Sequence, residues 1–515
     1  MPSNSQVADA GAFSELGPSE RRRWLGVPVV CIGVMMSFVN VSSTLSALSF
    51  IQQDLRVSGP TLIWVSSAFP LAMVSLLMSA GTFGELYGRR RTYLAGVVLL
   101  GGGSLIAFLA ADAGVLIAGQ VVMGVGAAAA LPTGLSIVSN TFSDQQERIR
   151  AIGVWASTAG IGLAVGPLVA GALLDNFSWH SVYLTNVILA AVGAGLVPLF
   201  IAEGKHPSRR LDPSGIMLGT VAIAALAFAI IEGGSQGYAT VLSIAAYVIL
   251  AISLPLFVAV ELRHRDPMLD LRLFRSASFT AIQLAAASAM FGFVGLSLLS
   301  ILYLQRVAHL DAWSTGVHML PWMLTFVVVS AVAARVVRAL GFATTLTAGL
   351  VLMGVGALAL LRVGVVDGYD AMWPALLVIG IGSALLVGPS TAAAVNSVSS
   401  RQAGMASATV NTFRQMGSML GSSILGTLAV TQFPRYLSSD LAGAGVSPGN
   451  THAVVSAVTR GVRPETPVVL KPLLDQAIPE ALTSALHMGF AVGGIVLLIA
   501  AIPTAIFVRR LQPAE

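Results

Sequence analysis

Residues 81–91 read Gly81-Thr82-Phe83-Gly84-Glu85-Leu86-Tyr87-Gly88-Arg89-Arg90-Arg91 and lie between two long apolar runs. The glycines permit a sharp turn and close approach of neighbouring backbone. Glu85 can pair with the arginines or interact with a helix terminus. The stretch therefore predicts a short charged turn that joins two membrane helices. A turn that is basic without any specific role is the simpler alternative.

The composition indicates a membrane protein with many spans. The chain has 515 residues, of which 56% are hydrophobic and 10% are charged, and its mean hydropathy is +0.84. A soluble protein of this size could not remain in solution with that balance. The formal charge of +5 comes from short basic clusters between apolar runs, which is typical of orientation signals in membrane proteins. Nucleic acid is therefore not an expected partner.

Fourteen apolar runs of about 20 residues follow one another along the chain, each long enough to cross a bilayer as a helix. The fold class predicted from them is all-α integral membrane, with helices grouped as six, two and six. The predicted segments are an N-terminal tail 1–26, a six-helix bundle 27–201, an inserted helix pair with its flanking loops 202–278, a six-helix bundle 279–508 and a C-terminal tail 509–515.

The distribution of arginine predicts the orientation. If the N-terminus is cytoplasmic, clusters such as Arg21–Arg23, Arg89–Arg91 and Arg509-Arg510 all fall on the cytoplasmic side. That asymmetry favours an even number of spans with both termini inside the cell. No cleavable signal peptide is expected, because residues 1–20 are polar and carry acids.

Internal repetition supports two related bundles. The pattern Gly124-x-Gly126 followed by Asn140 is echoed by Gly380-x-Gly382 followed by Asn396 at the same spacing. A long segment in the second bundle, 431–481, is rich in Pro, Gly and Ser and is predicted to be an extracellular loop. A partly disordered or amphipathic cap is favoured there over a binding domain.

Span 5 contains Gly162-x-x-x-Gly166-Pro167-x-x-Ala170-Gly171. Small residues four apart let helices approach closely in lipid, and Pro167 permits a bend because it removes a backbone hydrogen bond. The pattern resembles the antiporter motif of the major facilitator superfamily. Residues 81–91 resemble the signature between transmembrane helices 2 and 3 of the same superfamily, although Glu85 replaces the usual Asp. The matching residues, for which the resemblance implies gating or conformational roles, are Gly81, Glu85, Gly88, Arg89, Arg90, Gly162, Gly166, Pro167 and Gly171.

Further stretches resemble the fourteen-span drug:proton antiporter branch, the EmrB/QacA-like proteins. They include Trp64 to Phe69, Trp179 to Asn186, Tyr303-Leu304-Gln305, and Gly404 to Gly417. The resemblance implies a transporter of the bacterial plasma membrane that exports an amphiphilic drug, antibiotic or secondary metabolite. Protons are the coupling partner that it implies. No enzymatic activity, cofactor or metal is expected, and the sequence assigns no oligomeric state.

Two departures from the branch bear on the mechanism. Asn40 stands where the branch carries a membrane-embedded Asp, and Gln120 stands where its span 4 carries an Arg. Each change replaces a charged group by a neutral amide, so an ion pair or proton relay at these two sites is absent. A facilitator or a differently coupled carrier therefore stays an alternative, as does a membrane sensor or scaffold that has lost transport.

The remaining candidates are interior polar groups and large apolar side chains. His318 could titrate near neutral pH, but a lone helical histidine more often bonds a neighbour. Arg414 lies about 15 Å into span 13 and must be compensated there, either structurally or by an anionic group of a substrate. Pocket-lining candidates are chosen because amphiphile sites are mainly apolar with few polar groups, and methionine adapts to varied shapes. They are Phe69, Met123, Gln283, Phe291, Phe293, Trp322 and Met323.

Overall fold

The computed structural model describes residues 18–142, 144–204, 213–237, 239–263, 271–365, 368–398, 402–459 and 471–508. Within these ranges every regular element is helical, in agreement with the predicted all-α class. The predicted N-terminal tail up to residue 17 and the tail 509–515 lie outside the described residues, as do parts of the loops that flank the inserted pair.

Eight helices cover the first half of the chain. They are α1 (Pro18–Leu55), α2 (Gly59–Tyr87), α3 (Arg89–Phe108), α4 (Ala113–Thr141), α5 (Gln145–Leu174), α6 (Ser181–Phe200), α7 (Pro213–Gln236) and α8 (Val241–Arg263).

A 3-10 turn at Leu271–Arg275 leads into the second half. Its helices are α9 (Ala277–Arg306), α10 (Ala312–His318), α11 (Leu320–Ala359), α12 (Gly368–Asn396), α13 (Ala403–Gly443), α14 (Pro448–Thr459) and α15 (Lys471–Phe507), with a 3-10 turn Leu360–Arg362 after α11.

Eleven helical stretches in the described part of the chain are long and apolar enough to cross a membrane. One of them, Leu320–Arg362, contains a break, since Gly341 has φ 77° and ψ 167° and divides α11 into two helices. A shorter apolar helix, Ser214–Ile230, lies within α7. Helix α13 is not among the eleven, because Ser, Thr, Asn and Arg side chains interrupt its apolar residues.

The echoed glycines have the same surroundings in both halves. A Cβ added at Gly124 would lie 2.5 Å from the carbonyl oxygen of Phe69 on α2, and one added at Gly380 would lie 2.6 Å from that of Trp322 on α11. Gly126 and Gly382 make matching contacts with the backbone of the preceding helical segment, which is α3 in the first half and the part of α11 after Gly341 in the second. Both pairs allow the backbones of neighbouring helices to touch.

The inserted helix α7 contacts both bundles. Thr220 Oγ1 donates to the carbonyl oxygen of Ser75 on α2 at 2.8 Å, and the rings of Phe228 and Trp64 lie 5.5 Å apart. Ile223 packs on the apolar cluster of Val74 on α2 and Met419 on α13. Helix α7 thus covers the line where α2 and α13 meet.

The segment 431–481, predicted as a long loop with a partly disordered or amphipathic cap, is helical over much of its described part. Helix α13 continues to Gly443, α14 occupies Pro448–Thr459 and α15 begins at Lys471, while residues 460–470 lie outside the described residues. We call the described helical parts of 431–481 the cap. The cap has its own apolar core, separate from the main one. The core residues are Leu437, Leu441, Val454, Leu474, Ala477 and Ala481.

Candidate functional site

The charged turn between α2 and α3 is held by an acid distant in sequence. Gly88 has φ 109°, a conformation that glycine adopts without steric cost. The backbone N–H of Arg90 donates to Glu203 Oε1 at 3.1 Å, and the Nε atoms of Arg90 and Arg91 lie 3.8 and 3.6 Å from Glu203 Oε2. Glu203, which follows α6, therefore anchors the charged turn between α2 and α3.

The role of Glu203 was not predicted from the sequence. The available signal was an acid at the end of the sixth apolar run, on the same predicted side as the turn. The pairing of Glu85 with the arginines stays a prediction, because the side chain of Glu85 and the surroundings of Gly81 lie outside what the structure describes.

Helix α5 contacts both bundles through its glycines. A Cβ at Gly162 would lie 3.0 Å from Phe38 Cβ, and one at Gly166 would overlap the Ser42 hydroxyl, so this half of α5 is in direct contact with α1. One helical turn beyond Pro167, a Cβ at Gly171 would lie 2.7 Å from the carbonyl oxygen of Ala312 on α10. Such approaches need residues without a side chain.

The contact between α5 and α10 is reciprocal. A Cβ at Gly316 on α10 would lie 3.0 Å from the carbonyl oxygen of Pro167. The two bundles therefore touch backbone to backbone at the end of the molecule where α1 finishes and α2 begins. We call this end the distal face.

Side chains at the distal face add cross-bundle hydrogen bonds. Arg306 on α9 donates from Nη2 to Gln52 Oε1 at 2.6 Å and from Nε to Ser49 Oγ at 3.2 Å. Gln305 Nε2 donates to the carbonyl oxygen of Ser46 at 2.9 Å. These bonds connect α9 to α1 and hold the bundles together there.

The two amides that depart from the resembled pattern lie side by side. Asn40 Nδ2 donates to Gln120 Oε1 at 3.0 Å, and Gln120 Nε2 donates to Thr44 Oγ1 at 3.1 Å and to the Tyr183 hydroxyl at 3.2 Å. All four residues are buried, and Asn40 Oδ1 has no hydrogen-bond partner. The group is a neutral network with no ionised member at neutral pH.

A narrow cleft lies between the bundles, with enclosed room for about one water molecule. The side chain of Ser297 is buried and its hydroxyl has no partner. The other walls are mainly apolar, as expected for an amphiphile site. The lining residues are Val41, Ser42 and Leu45 of α1, Leu163 and Pro167 of α5, Phe293, Val294, Ser297 and Ile301 of α9, and Met323 of α11.

The predicted pocket residues have different locations. Trp322 lies behind the cleft wall, with its ring 5.2 Å from that of Phe293. Met123 is buried at the α3–α4 contact, where its sulfur accepts from Ser104 Oγ at 2.9 Å. Phe291 is buried where Gly421 of α13 meets the α9 backbone. Of these three candidates, Trp322 is the one adjacent to the cleft.

His318 ends the short helix α10 near the distal face. Its Nδ1 donates to the carbonyl oxygen of Ser314 at 2.6 Å, and its ring lies 4.3 Å from that of Tyr369. These contacts are the local bonding expected of most helical histidines, and they place His318 outside the middle of a span.

Arg414 and Gln283 are interior polar groups of the second bundle. Arg414 Nη2 donates to Thr391 Oγ1 on α12, and its Nε is buried without a partner. Gln283 is 0% exposed, and neither its Oε1 nor its Nε2 has a partner. In the described ranges, no carboxylate forms an ion pair with Arg414. No group of three His, Cys, Asp or Glu suited to a metal occurs in the same ranges.

The sequence matches the profile of the Major Facilitator Superfamily over residues 30–422. It is 32% identical over 443 residues to the multidrug resistance protein Stp of Mycobacterium tuberculosis, covering 85% of this chain and 81% of Stp. It is 30% identical to the methylenomycin A resistance protein of Streptomyces coelicolor, covering 82% and 90% of the two chains.

Among solved structures, the fold is similar to a bacterial homologue of the human lysosomal transporter Spinster. The TM-score is 0.65 at 14% identity, covering 95% of this chain and 98% of that one. Together with the apolar helices, these relatives indicate a protein of the bacterial inner membrane and a transporter, not an enzyme. The chain belongs to the major facilitator superfamily.

Proposed function

We propose that this protein exports amphiphilic drugs, antibiotics or secondary metabolites from the bacterial cell. The observation that carries the proposal is helix α5, whose glycines contact α1 in one bundle and α10 in the other. Relatives named for multidrug resistance and for methylenomycin A resistance support the substrate class.

Alternating access follows from where the contacts lie. The cleft is bounded by α1 and α5 on one side and by α9 and α11 on the other, so rocking of the bundles changes its access. The bonds of Gln305 and Arg306 and the α5–α10 contact hold the distal face closed. Export requires these contacts to break and re-form in each cycle, while Glu203 keeps the charged turn in place.

We further propose fourteen spans in a six, two and six arrangement with both termini in the cytoplasm, which places the protein in the fourteen-span drug-efflux branch. The eleven apolar stretches become fourteen when Leu320–Arg362 is divided at Gly341 and when Ser214–Ile230 and α13 are added. The arginine-rich connections then lie inside the cell, and the cap and the distal face lie outside it.

Proton coupling is the family expectation, but the neutral Asn40–Gln120 pair supports a second candidate. A facilitator or a carrier coupled to another gradient needs no titrating group at this position. A proton antiporter with this network must carry its proton on another residue, because amides do not titrate.

Export is tested by expressing the native protein in an efflux-deficient bacterium and measuring resistance and intracellular accumulation for an antibiotic panel. Gly166→Leu is the inactive comparison, because its side chain cannot fit against Ser42. We expect lower accumulation of some compounds with the native protein than with the variant. Equal accumulation of every compound at matched expression, as a sensor or scaffold gives, contradicts the proposal.

Coupling is tested in inverted membrane vesicles that hold a preformed pH gradient. Proton antiport predicts that exported compounds dissipate the gradient in vesicles with the protein and not in vector controls. A gradient that persists while the same compounds are transported supports the differently coupled carrier.

A further inference from the structure

One face of helix α9 borders the cleft along its second half. Val294, Ser297 and Ile301 line the cleft, and Gln283 precedes Ile301 by about five full helical turns at 3.6 residues per turn. Gln283 therefore lies on the same face of α9, nearer the end at which the helix begins. It is fully buried, and both its polar atoms lack partners.

Arg414 lies at the level of Gln283. Helices α9 and α13 run parallel, with Gly417 against Ala287 and Gly421 against Phe291. Gln283 and Arg414 each lie about one turn before the first of these contacts. The two side chains therefore belong to the same layer of the second bundle.

The layer carries an uncompensated positive charge. Arg414 donates to the neutral hydroxyl of Thr391 and has no carboxylate partner among the described residues. An interior cation in a membrane protein is costly unless an anion or several dipoles compensate it. Unpartnered buried polar groups are costly too, so Arg414 and Gln283 together are suited to a guest that supplies negative charge and hydrogen-bond acceptors.

We infer that Arg414 and Gln283 form a head-group site for the carboxylate of an acidic amphiphile. The inference rests on the proposed export function and specifies its substrate class. Arg414 provides the charge-assisted bonds and Gln283 an N–H donor, while the apolar body of the amphiphile extends along the face of α9 that borders the cleft. With the neutral Asn40–Gln120 pair in the other bundle, no anion in that network competes for the cation.

The test uses a matched pair of dyes, rhodamine B and its ethyl ester, which differ only in a free carboxylate. Binding to the purified full-length protein in phosphatidylcholine nanodiscs is followed by fluorescence anisotropy. For each variant the acid-to-ester affinity ratio is determined, so that a general loss of folding or of apolar binding cancels.

Arg414→Gln is expected to lower this ratio about tenfold to hundredfold, the range for hydrogen bonds to charged groups. Arg414→Lys retains the charge and part of the ratio, and Gln283→Leu lowers it about threefold to tenfold, as expected for a single hydrogen bond. Arg335→Gln is the control for removing one cation, because Arg335 is exposed on α11. We expect it to leave the ratio unchanged.

A ratio that stays within about twofold in Arg414→Gln overturns the inference, and so does failure of the native protein to bind either dye. Arg414 is then a structural anchor for α12 through Thr391. The export assay separates the two proposals. Export of panel compounds with an unchanged dye ratio rejects the head-group site alone, whereas a carboxylate-dependent ratio without export in cells rejects the exporter alone.

Discussion

Gly171→Ala is expected to shift the protein toward the conformation that is open at the distal face. The added Cβ would lie 2.7 Å from the carbonyl oxygen and 3.0 Å from the carbonyl carbon of Ala312, and 2.8 Å from the Cα of Trp313. Ordinary contact begins at 3.4 Å, so α5 and α10 must separate by about 0.7 Å or more. All three atoms belong to the backbone and cannot rotate away.

Overpacking of this kind costs about 1–3 kcal/mol. Because the clash exists only where the bundles touch, the cost applies to the distally closed state, and its population falls about 5-fold to 150-fold relative to the open state. The matched control is Gly153→Ala on the same helix, since a Cβ there meets nothing within 4 Å. The control also accounts for the higher helix propensity of alanine.

The population of the distally closed state is measured by double electron–electron resonance between spin labels on the two bundles. Phe177 and Val365 are exposed, at 65% and 36%, and can carry labels as cysteines after Cys31→Ser removes the only native thiol. We expect a larger long-distance fraction in Gly171→Ala than in Gly153→Ala. Identical distance distributions in the two variants would refute the reasoning that the α5–α10 contact closes the distal face.

Three further predictions concern stability, each read from thermal unfolding in detergent. Gly88→Ala should destabilise the protein by about 1–2 kcal/mol, because φ 109° is strained for alanine and the new Cβ would lie 2.5 Å from Glu203 Oε1. The control is Gly102→Ala, where the added Cβ meets open space. Equal melting temperatures of the two variants count against the role given to the turn geometry. Asn40→Leu and Gln120→Leu should show a coupling of about 1 kcal/mol in a double-mutant cycle; strictly additive effects mean that their bond contributes nothing. Burial and the charge of Glu480 raise the pKa of Asp440 above its ordinary value of 3.8, so the stability that its protonation provides is present at low pH and is lost as pH rises through the raised pKa. Asp440→Asn should therefore be more stable than the native protein at pH 7, with the difference vanishing toward pH 3.8. A difference that does not change with pH excludes this linkage.

The sequence was informative where function depends on local pattern. Gly166-Pro167 and the turn at Gly88 need particular residue types at fixed spacing, so both could be recognised without coordinates. The apolar runs gave the all-helical membrane class because a bilayer leaves few other ways to satisfy the backbone. Composition was less reliable for α13, whose polar residues lower its hydropathy, and for 431–481, where a small apolar core is hidden among Pro and Gly.

The linear pattern could not show which distant residues meet. Glu203 accepts a hydrogen bond from the backbone N–H of Arg90, which is 113 residues away in the sequence. Arg306 donates a hydrogen bond to Gln52 in the other bundle. The candidates Met123 and Phe291 have the residue types of a pocket, yet they are buried in helix contacts away from the cleft lining. Residue type gives the chemistry of a side chain, but the rotation and depth of its helix decide which neighbours it has.

The sequence by itself determined that the chain is a helical membrane protein with repeated halves and a charged turn, because hydropathy, glycine spacing and charge act over single helices. Tertiary structure alone decided that Asn40 and Gln120 form one neutral pair, that α5 contacts both bundles, and that Arg414 has no acid among the described residues. Each of these facts depends on side chains brought together by helix packing, and packing in lipid depends on the close fit of distant surfaces.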